Sequence, residues 1–294
     1  MLSVFLCALC MRSPSLAPAL HFAAAMTADV QPAVPPVRAS VVRSVALPIE
    51  HGGWAFLLEP IVLGLLVAWS GAGFVLSVGA LAAFLLHQPL KIAVRDWMAG
   101  RRAPRTIWAE RFAVVYALVA VASLGWIAWT APSRVVVAFL IFAPLAGIQL
   151  AYDVRGKSRA LVPEVAGAAA LAGIAVAIAM LDGWSVWPAI GLWGVLVARS
   201  APSIVYVRER LLLERGKGVR LAPTIAVHVA AVVAVAGLWW AGIASVAGVA
   251  AMVFLFGRAW HGLSKWRHGH RPAMIGMQES FIGLGFVVAV WLGR

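Results

Sequence analysis

The strongest constraint on this chain is a series of apolar runs, each roughly 18 to 24 residues long and nearly free of charge, recurring from about residue 53 to residue 292. A helix of that length crosses the ~30 Å hydrocarbon core of a bilayer. In hydrocarbon only helices and closed barrels satisfy every backbone polar group from within. Turn and charge signals divide the runs into about nine spans, at 53–70, 72–94, 109–130, 134–152, 162–181, 185–207, 222–242, 244–262 and 275–292. Composition agrees, with 63% apolar residues and a mean hydropathy of +0.93, well above the ~45–50% apolar content of soluble domains. The expected fold class is all-α, an integral membrane helical bundle of about nine transmembrane helices. Residues 46–294 form its single transmembrane domain. Residues 1–45 read as a disordered or weakly amphipathic lead-in with a Pro-rich linker, PAVPPVRAS, and Met26 offers an alternative start. The two cysteines, Cys7 and Cys10, lie in that lead-in and supply neither a disulfide framework nor a metal cage.

The net charge of +13 is explained by placement. Long basic loops follow every second span: RDWMAGRRAPRTIWAER, YDVRGKSRALVPE, RERLLLERGKGVR and SKWRHGHRPAM. On the opposite side the only Lys or Arg are Arg134 and Arg294. Positive loops stay cytoplasmic. The expected location is therefore the cytoplasmic (inner) membrane, with the N-terminus and basic loops inside and the C-terminus outside. Trp69, Trp126, Trp129, Trp184, Trp187, Trp239 and Trp240 fall at the other helix ends, as an interfacial aromatic belt requires. Nucleic-acid binding is set aside, because the basic residues flank membrane spans and lack an aromatic stacking platform. The Ala- and Gly-rich fifth, seventh and eighth spans read as close-packing elements.

This topology brings chemistry-bearing residues together on the basic side. Glu50 and His51 open the first span, and Glu59 lies eight residues further in, ~12 Å along a helix axis. His87, Lys91 and Arg95 share a stripe at the end of the second span, with Asp96 beside them. Tyr152, Asp153, Lys157 and Arg159 close the fourth, and Glu164 opens the fifth. Arg199, Ser203, Tyr206 and Arg210, spaced by four, three and four, line one face of the sixth, where Pro202 is a kink candidate. A charge deep in a span costs about 2.5 to 3.5 kcal/mol even on the lenient insertion scale. Glu59 and Arg199 are thus either the lining of a polar cavity or a structural buried pair. Glu164 and Glu279, nearer the interface, are accounted for by helix N-terminal dipoles. His228 reads as a buried, hydrogen-bonded histidine, and His261, His268 and His270 as solvated loop residues.

The stretch LPIEHGGWAFLLEP resembles the Pro-x-Glu-His-Gly-x-Trp signature that opens the YwiC-like family of bacterial multi-pass membrane proteins. The likeness extends through PLKIAVRDWMAGRR, LVPEVAGAAAL, SIVYVRERL and IGMQES, over about residues 46–285. That family is uncharacterised and implies no chemistry. Nine helices with long cytoplasmic loops after the second, fourth, sixth and eighth are also similar to the UbiA-type intramembrane prenyltransferases. That resemblance implies transfer of an isoprenoid from its diphosphate, with magnesium held by Asp-rich loops. RDWMAGRRAPR keeps Asp96 and the arginines, and GKSRALVPEVAG keeps Lys157, Arg159 and Pro163. YVRERLLLERGKG departs, carrying Arg208 and Arg210 where acids are expected and leaving only Glu209 and Glu214. Arginines there would repel magnesium and grip a phosphate or carboxylate directly.

Three functions follow as expectations. In the first, a cytoplasm-facing cationic cavity binds an isoprenoid diphosphate or another anionic lipid, with or without transferase chemistry. Arg95, Lys157, Arg199, Tyr206, Arg208 and Arg210 hold the ligand, and Glu50, His51, Glu59 and Asp96 carry any catalysis. In the second, Glu59 and Arg199 form the intramembrane pair of a secondary transporter. In the third, the protein is a non-enzymatic membrane scaffold. No cofactor is assigned by the sequence, and magnesium enters only through the UbiA likeness.

Overall fold

The computed structural model describes residues 39–47, 51–157 and 159–293. Ser40–Arg294 forms one compact unit. Among the described residues the fold is all-α: α1 (Ala39–Ala46), α2 (His51–Val67), α3 (Gly71–Met98), α4 (Pro104–Thr130), α5 (Ser133–Val154), α6 (Leu161–Leu181), α7 (Val186–Glu214), α8 (Leu221–Trp240), α9 (Val246–Leu263) and α10 (Pro272–Leu292). Helix α1 lies in the stretch expected to be lead-in.

Each expected span corresponds to one of α2–α10, with ends shifted by a few residues. Eight of them, α3 to α10, are long and apolar enough to cross a membrane. The expected nine spans are thus these eight together with the apolar α2, of which 17 residues are described. Helix ends follow local chemistry. Ser70 and Ser245 cap α3 and α9 by accepting the amide protons of Gly73 (3.0 Å) and Gly248 (3.2 Å). Pro104 and Pro272 occupy first turns, where a missing N–H costs nothing. Five helices stop at a glycine with positive φ, namely Gly100, Gly156, Gly183, Gly216 and Gly242.

Short connections reverse the chain at every step, so the four basic loops share one end of the bundle. The exposed Trp69, Trp129, Trp187 and Trp240 fall at the other end. Consecutive helices pair as α3–α4, α5–α6, α7–α8 and α9–α10. Helix α6 is the central element, touching α2, α3, α5 and α7, and its Ala and Gly side chains are buried almost without a break from Ala166 to Met180. Small residues allow this close approach, which substitutes dispersion contacts for the hydrophobic drive that lipid does not supply. Gly79 shows the tolerance between α3 and α4, because a β-carbon there would sit 2.9 Å from Ser123 Cβ.

The small residues of α8 and α9 behave differently from the expectation of close packing. Only the stripe Thr224, His228, Ala231 and Val235 of α8 is buried. Helix α8 packs chiefly against α7 and α9 among the described residues, so one narrow face suffices and the rest is left to lipid. Helix α2 packs chiefly on α6 and α10, with lesser contacts to α3 and α7. It thereby brings Glu59 into the seam formed with α7, α9 and α10.

Candidate functional site

A polar cluster occupies that seam. Arg199, in the middle of α7, is 1% exposed and among the largest fully buried side chains. Its Nη2 lies 3.0 Å from Glu59 Oε1 and 3.9 Å from Glu279 Oε2, and donates to the Glu279 main-chain oxygen at 3.0 Å. Glu279 on α10 also pairs with Arg258 of α9 and accepts the Ser203 hydroxyl proton. The Arg258 guanidinium in turn lies 4.6 Å from the Tyr206 ring centroid, a cation–π contact. Two carboxylates and two guanidiniums, drawn from four helices, thus offset one another inside apolar surroundings.

Local sequence explains the fit. Arg199, Ser203, Tyr206 and Arg210 share one face of α7, and all four are buried. Gly283, one turn past Glu279, has no side chain to collide with them. A β-carbon at Gly283 would overlap both the Glu59 carboxylate and the Arg199 guanidinium. Several polar atoms nevertheless keep spare capacity. Glu59 Oε1, Arg199 Nε and Glu279 Oε1 are buried and make no aligned hydrogen bond among the described residues. The cluster is therefore balanced in charge but not saturated in hydrogen bonds, a costly state for buried ions.

Nearer the basic end the same seam continues. Arg210, 3% exposed, donates to the main-chain oxygens of Gly262 and His268 and lies 2.8 Å from Glu214 Oε1. Arg267 Nε stands 3.9 Å from that same carboxylate oxygen. Charges alternate from Arg267 at the rim through Glu214 and Arg210, and then, past Tyr206, from Arg258 through Glu279 and Arg199 to Glu59.

The other sequence candidates fall elsewhere. Glu50 lies outside the described residues, and of His51 only its place at the start of α2 is described. Asp96 is buried, but it staples the α3–α4 turn: it accepts from Arg105 Nε (3.2 Å), Arg105 Nη2 (2.9 Å) and Thr106 Oγ1 (2.8 Å), with Arg95 at 3.7 Å. Arg95 and Lys157 are exposed. Arg208 faces α6, pairing with Glu164 at 2.9 Å and donating to the Arg159 main-chain oxygen at 2.7 Å. Two residues apart on a helix, Arg208 and Arg210 face different neighbours. The candidate phosphate-binding arginines therefore do not converge on one pocket; each except Arg95 is engaged with a different partner, and among the described residues Arg95 pairs with Asp96 alone. His87 and Lys91 join α3 to α5 through Asp153, at 3.1 and 3.3 Å.

Sequence reasoning missed Arg258 and misjudged Glu279. Glu279 is not an interfacial residue resting on a helix dipole but is 6% exposed and held by two arginines. The signal for Arg258 was present, since FLFGRAWHG sets one cation inside an apolar run, as VLVARSAPS does for Arg199.

A magnesium site of the kind implied by the prenyltransferase likeness does not fit these side chains. The Asp96 oxygens are taken by Arg105 and Thr106, Glu209 accepts the Arg220 amide proton at 2.9 Å, and Glu214 is paired with Arg210. Among the described residues no group of three His, Cys, Asp or Glu side chains is arranged to hold a metal ion.

Fold and seam together define a multi-pass helical membrane protein with an ion-paired polar cluster at its core. Within it, residues 47–179, from the start of α2 to near the end of α6, match the model of a protein family described as YwiC-like protein, to which this stretch is similar. The matched stretch includes Glu59 and Asp96 and ends before Arg199, so the likeness read through SIVYVRERL and IGMQES lies outside it. No curated protein and no solved structure matches the chain. The UbiA-like arrangement is accordingly not borne out.

Proposed function

We propose that the protein is a secondary transporter of the cytoplasmic membrane, with the Glu59–Arg199–Glu279 cluster as its coupling site and the basic loops in the cytoplasm. The observation that carries this reading is Arg199 Nη2 standing between two carboxylates at the centre of the bundle, 3.0 Å from Glu59 and 3.9 Å from Glu279. Ionisable groups at membrane depth are costly and characteristically mark ion and proton pathways. A proton arriving at Glu59 removes its claim on Arg199, which then shifts toward Glu279 or takes an incoming anion. Proton and anion thereby bind together, the proton on Glu59 and the anion on the released Arg199, and a ligand shifts the equilibrium only through such a difference in affinity between states.

The test is proton flux in proteoliposomes containing a trapped pH dye, under an imposed pH gradient and with a panel of small organic anions outside. Wild type should move protons faster than empty vesicles in the presence of at least one anion, and Glu59→Gln should abolish the movement. Wild-type flux equal to that of empty vesicles throughout, or full flux in Glu59→Gln, would refute the proposal. Binding of an isoprenoid diphosphate or other anionic lipid in a central cationic pocket is less well supported, because its arginines face separate neighbours.

A further inference from the structure

A groove runs between α8 and α9 at the basic end of the bundle, and its wall residues Ala259 and Leu263 pack against Tyr206 of the charged seam. It encloses about 170 Å³ and is lined by Leu221, Ile225, Phe256, Leu263 and the two exposed indoles Trp260 and Trp266, with Thr224, His228 and Ser264 as its polar members. At about 30 Å³ per molecule that volume would accommodate five or six waters, but each water needs two to four polar partners. The wall does not offer them. Thr224 donates its hydroxyl proton to the Arg220 main-chain oxygen at 3.4 Å. Ser264 donates to the His261 oxygen at 2.7 Å and accepts the Trp266 amide proton at 3.2 Å. His228 Nδ1 lies 2.7 Å from the Thr224 oxygen. A carbonyl only accepts, so the proton sits on Nδ1 and leaves Nε2 as an acceptor. The wall is thus mostly carbon, its hydroxyl protons and the His228 ring proton spent on main-chain oxygens and only scattered acceptors left toward the groove. Its natural occupant is a hydrocarbon chain.

The mouth supplies the other half of the argument. Arg220 immediately precedes Leu221, and Lys265 lies between Ser264 and Trp266, with its ammonium 5.2 Å from the Trp266 ring centroid. Both are exposed, and neither side chain forms an ion pair among the described residues, although the Glu209 carboxylate accepts the Arg220 main-chain amide proton at 2.9 Å. From Leu221 to His228 is seven residues, so the groove descends ~10 Å from those cations into the bilayer. An apolar slot below two exposed cations whose side chains form no ion pair matches an anionic phospholipid at a membrane interface, tail below and phosphate above.

We propose that the α8–α9 groove is a specific site for one anionic phospholipid, its acyl chain against Phe256, Trp260 and His228 and its phosphate held by Arg220 and Lys265. The site is independent of the transport reading. Its test is native mass spectrometry of the full chain released from detergent after exposure to equal amounts of phosphatidylglycerol and phosphatidylcholine. Wild type should retain one phosphatidylglycerol in preference. At about five-fold per interfacial cation, Arg220→Gln/Lys265→Gln should weaken retention roughly 30-fold. Ala259→Phe, which fills the groove, should abolish retention, and the exposed double variant guards against a folding defect in that one. Glu59→Gln should leave retention unchanged, which separates this result from any failure of the transport assay. Equal retention of the two lipids, or undiminished retention by the double variant, would overturn the proposal. So would thermal stabilisation by inorganic phosphate as large as that by the lipid, or a dimer that persists with no lipid attached, which would assign the groove to a second copy.

Discussion

The pairing of Glu59 with Arg199 can be separated from its function by a double-mutant cycle. Arg199→Met removes the one cation within ion-pair distance of Glu59 among the described residues and one of the two that serve Glu279, so that Glu59, at 2% exposure, must either stay ionised without a counter-charge or take up a proton. Breaking a buried pair from one side costs about 3–5 kcal/mol. Glu59→Leu is milder, because Arg199 keeps the Glu279 main-chain oxygen at 3.0 Å and its carboxylate at 3.9 Å, and about 1–3 kcal/mol is expected. The combined Glu59→Leu/Arg199→Met variant removes both charges and still leaves Glu279 with Arg258 and Ser203. Replacing a buried pair by apolar side chains of similar volume is commonly neutral or stabilising by about 1–4 kcal/mol. The double variant should therefore unfold no more easily than wild type, giving a coupling energy of several kcal/mol between contacting residues. Reversible unfolding in mixed detergent micelles measures each corner of the cycle. A coupling below about 0.5 kcal/mol would refute the buried-pair geometry. Flux assays on the same four proteins then decide function, since a double variant that is stable and still transports at the wild-type rate would make the pair structural.

Further outcomes are expected from neighbouring contacts. Gly283→Ala should destabilise by about 1–3 kcal/mol or more through overpacking against Glu59 and Arg199, whereas Gly285→Ala, with open space around it, should change stability little; thermal melting of the two variants checks this. Asp96→Asn should loosen the α3–α4 turn by about 1–3 kcal/mol, seen as faster amide exchange at residues 99–106, and should leave transport intact because Asp96 contacts no member of the central cluster. Arg208→Ala should cost no more than about 1 kcal/mol in the same melting assay, since its pair with Glu164 is solvent-screened, with the side chains 38% and 34% exposed.

The helices were legible because spans announce themselves by length, apolarity and Lys/Arg punctuation, and each of α2–α10 lies within a few residues of its expected position. The four-residue spacing of Arg199, Ser203, Tyr206 and Arg210 likewise gave a shared face without any coordinates. Partners were not legible. Glu279 looked interfacial because sequence gives distance from a helix start, whereas its environment depends on α9 supplying Arg258 and α7 supplying Ser203. Asp96 and Arg210 looked like companions because both lie toward the basic end. The α3–α4 turn claims Asp96 for Arg105, and the α9–α10 connection claims Arg210 through the Gly262 and His268 carbonyls. Side-chain pairing across helices depends on rotation and register, which no single-helix periodicity encodes.

Helix α2 ties these observations to the transport reading. Pro60, directly after Glu59, removes the hydrogen bond that the Phe56 oxygen would otherwise accept. The helix carrying the proposed coupling carboxylate thus has a weakened ladder beside that carboxylate. Apolar contacts hold it against α6, but toward α7 its charged tie is the single Glu59–Arg199 contact. Neutralising Glu59 removes that attraction and leaves the α6 packing untouched, so a proton there should loosen α2 from the α7 side of the seam. Glu59→Gln, a permanent mimic of the protonated state, should accordingly raise amide exchange in α2 around Pro60 while exchange in α6 stays at its wild-type level. Unchanged exchange in α2 would mean that its position is set by α6 packing alone, and the link between protonation and movement would fail.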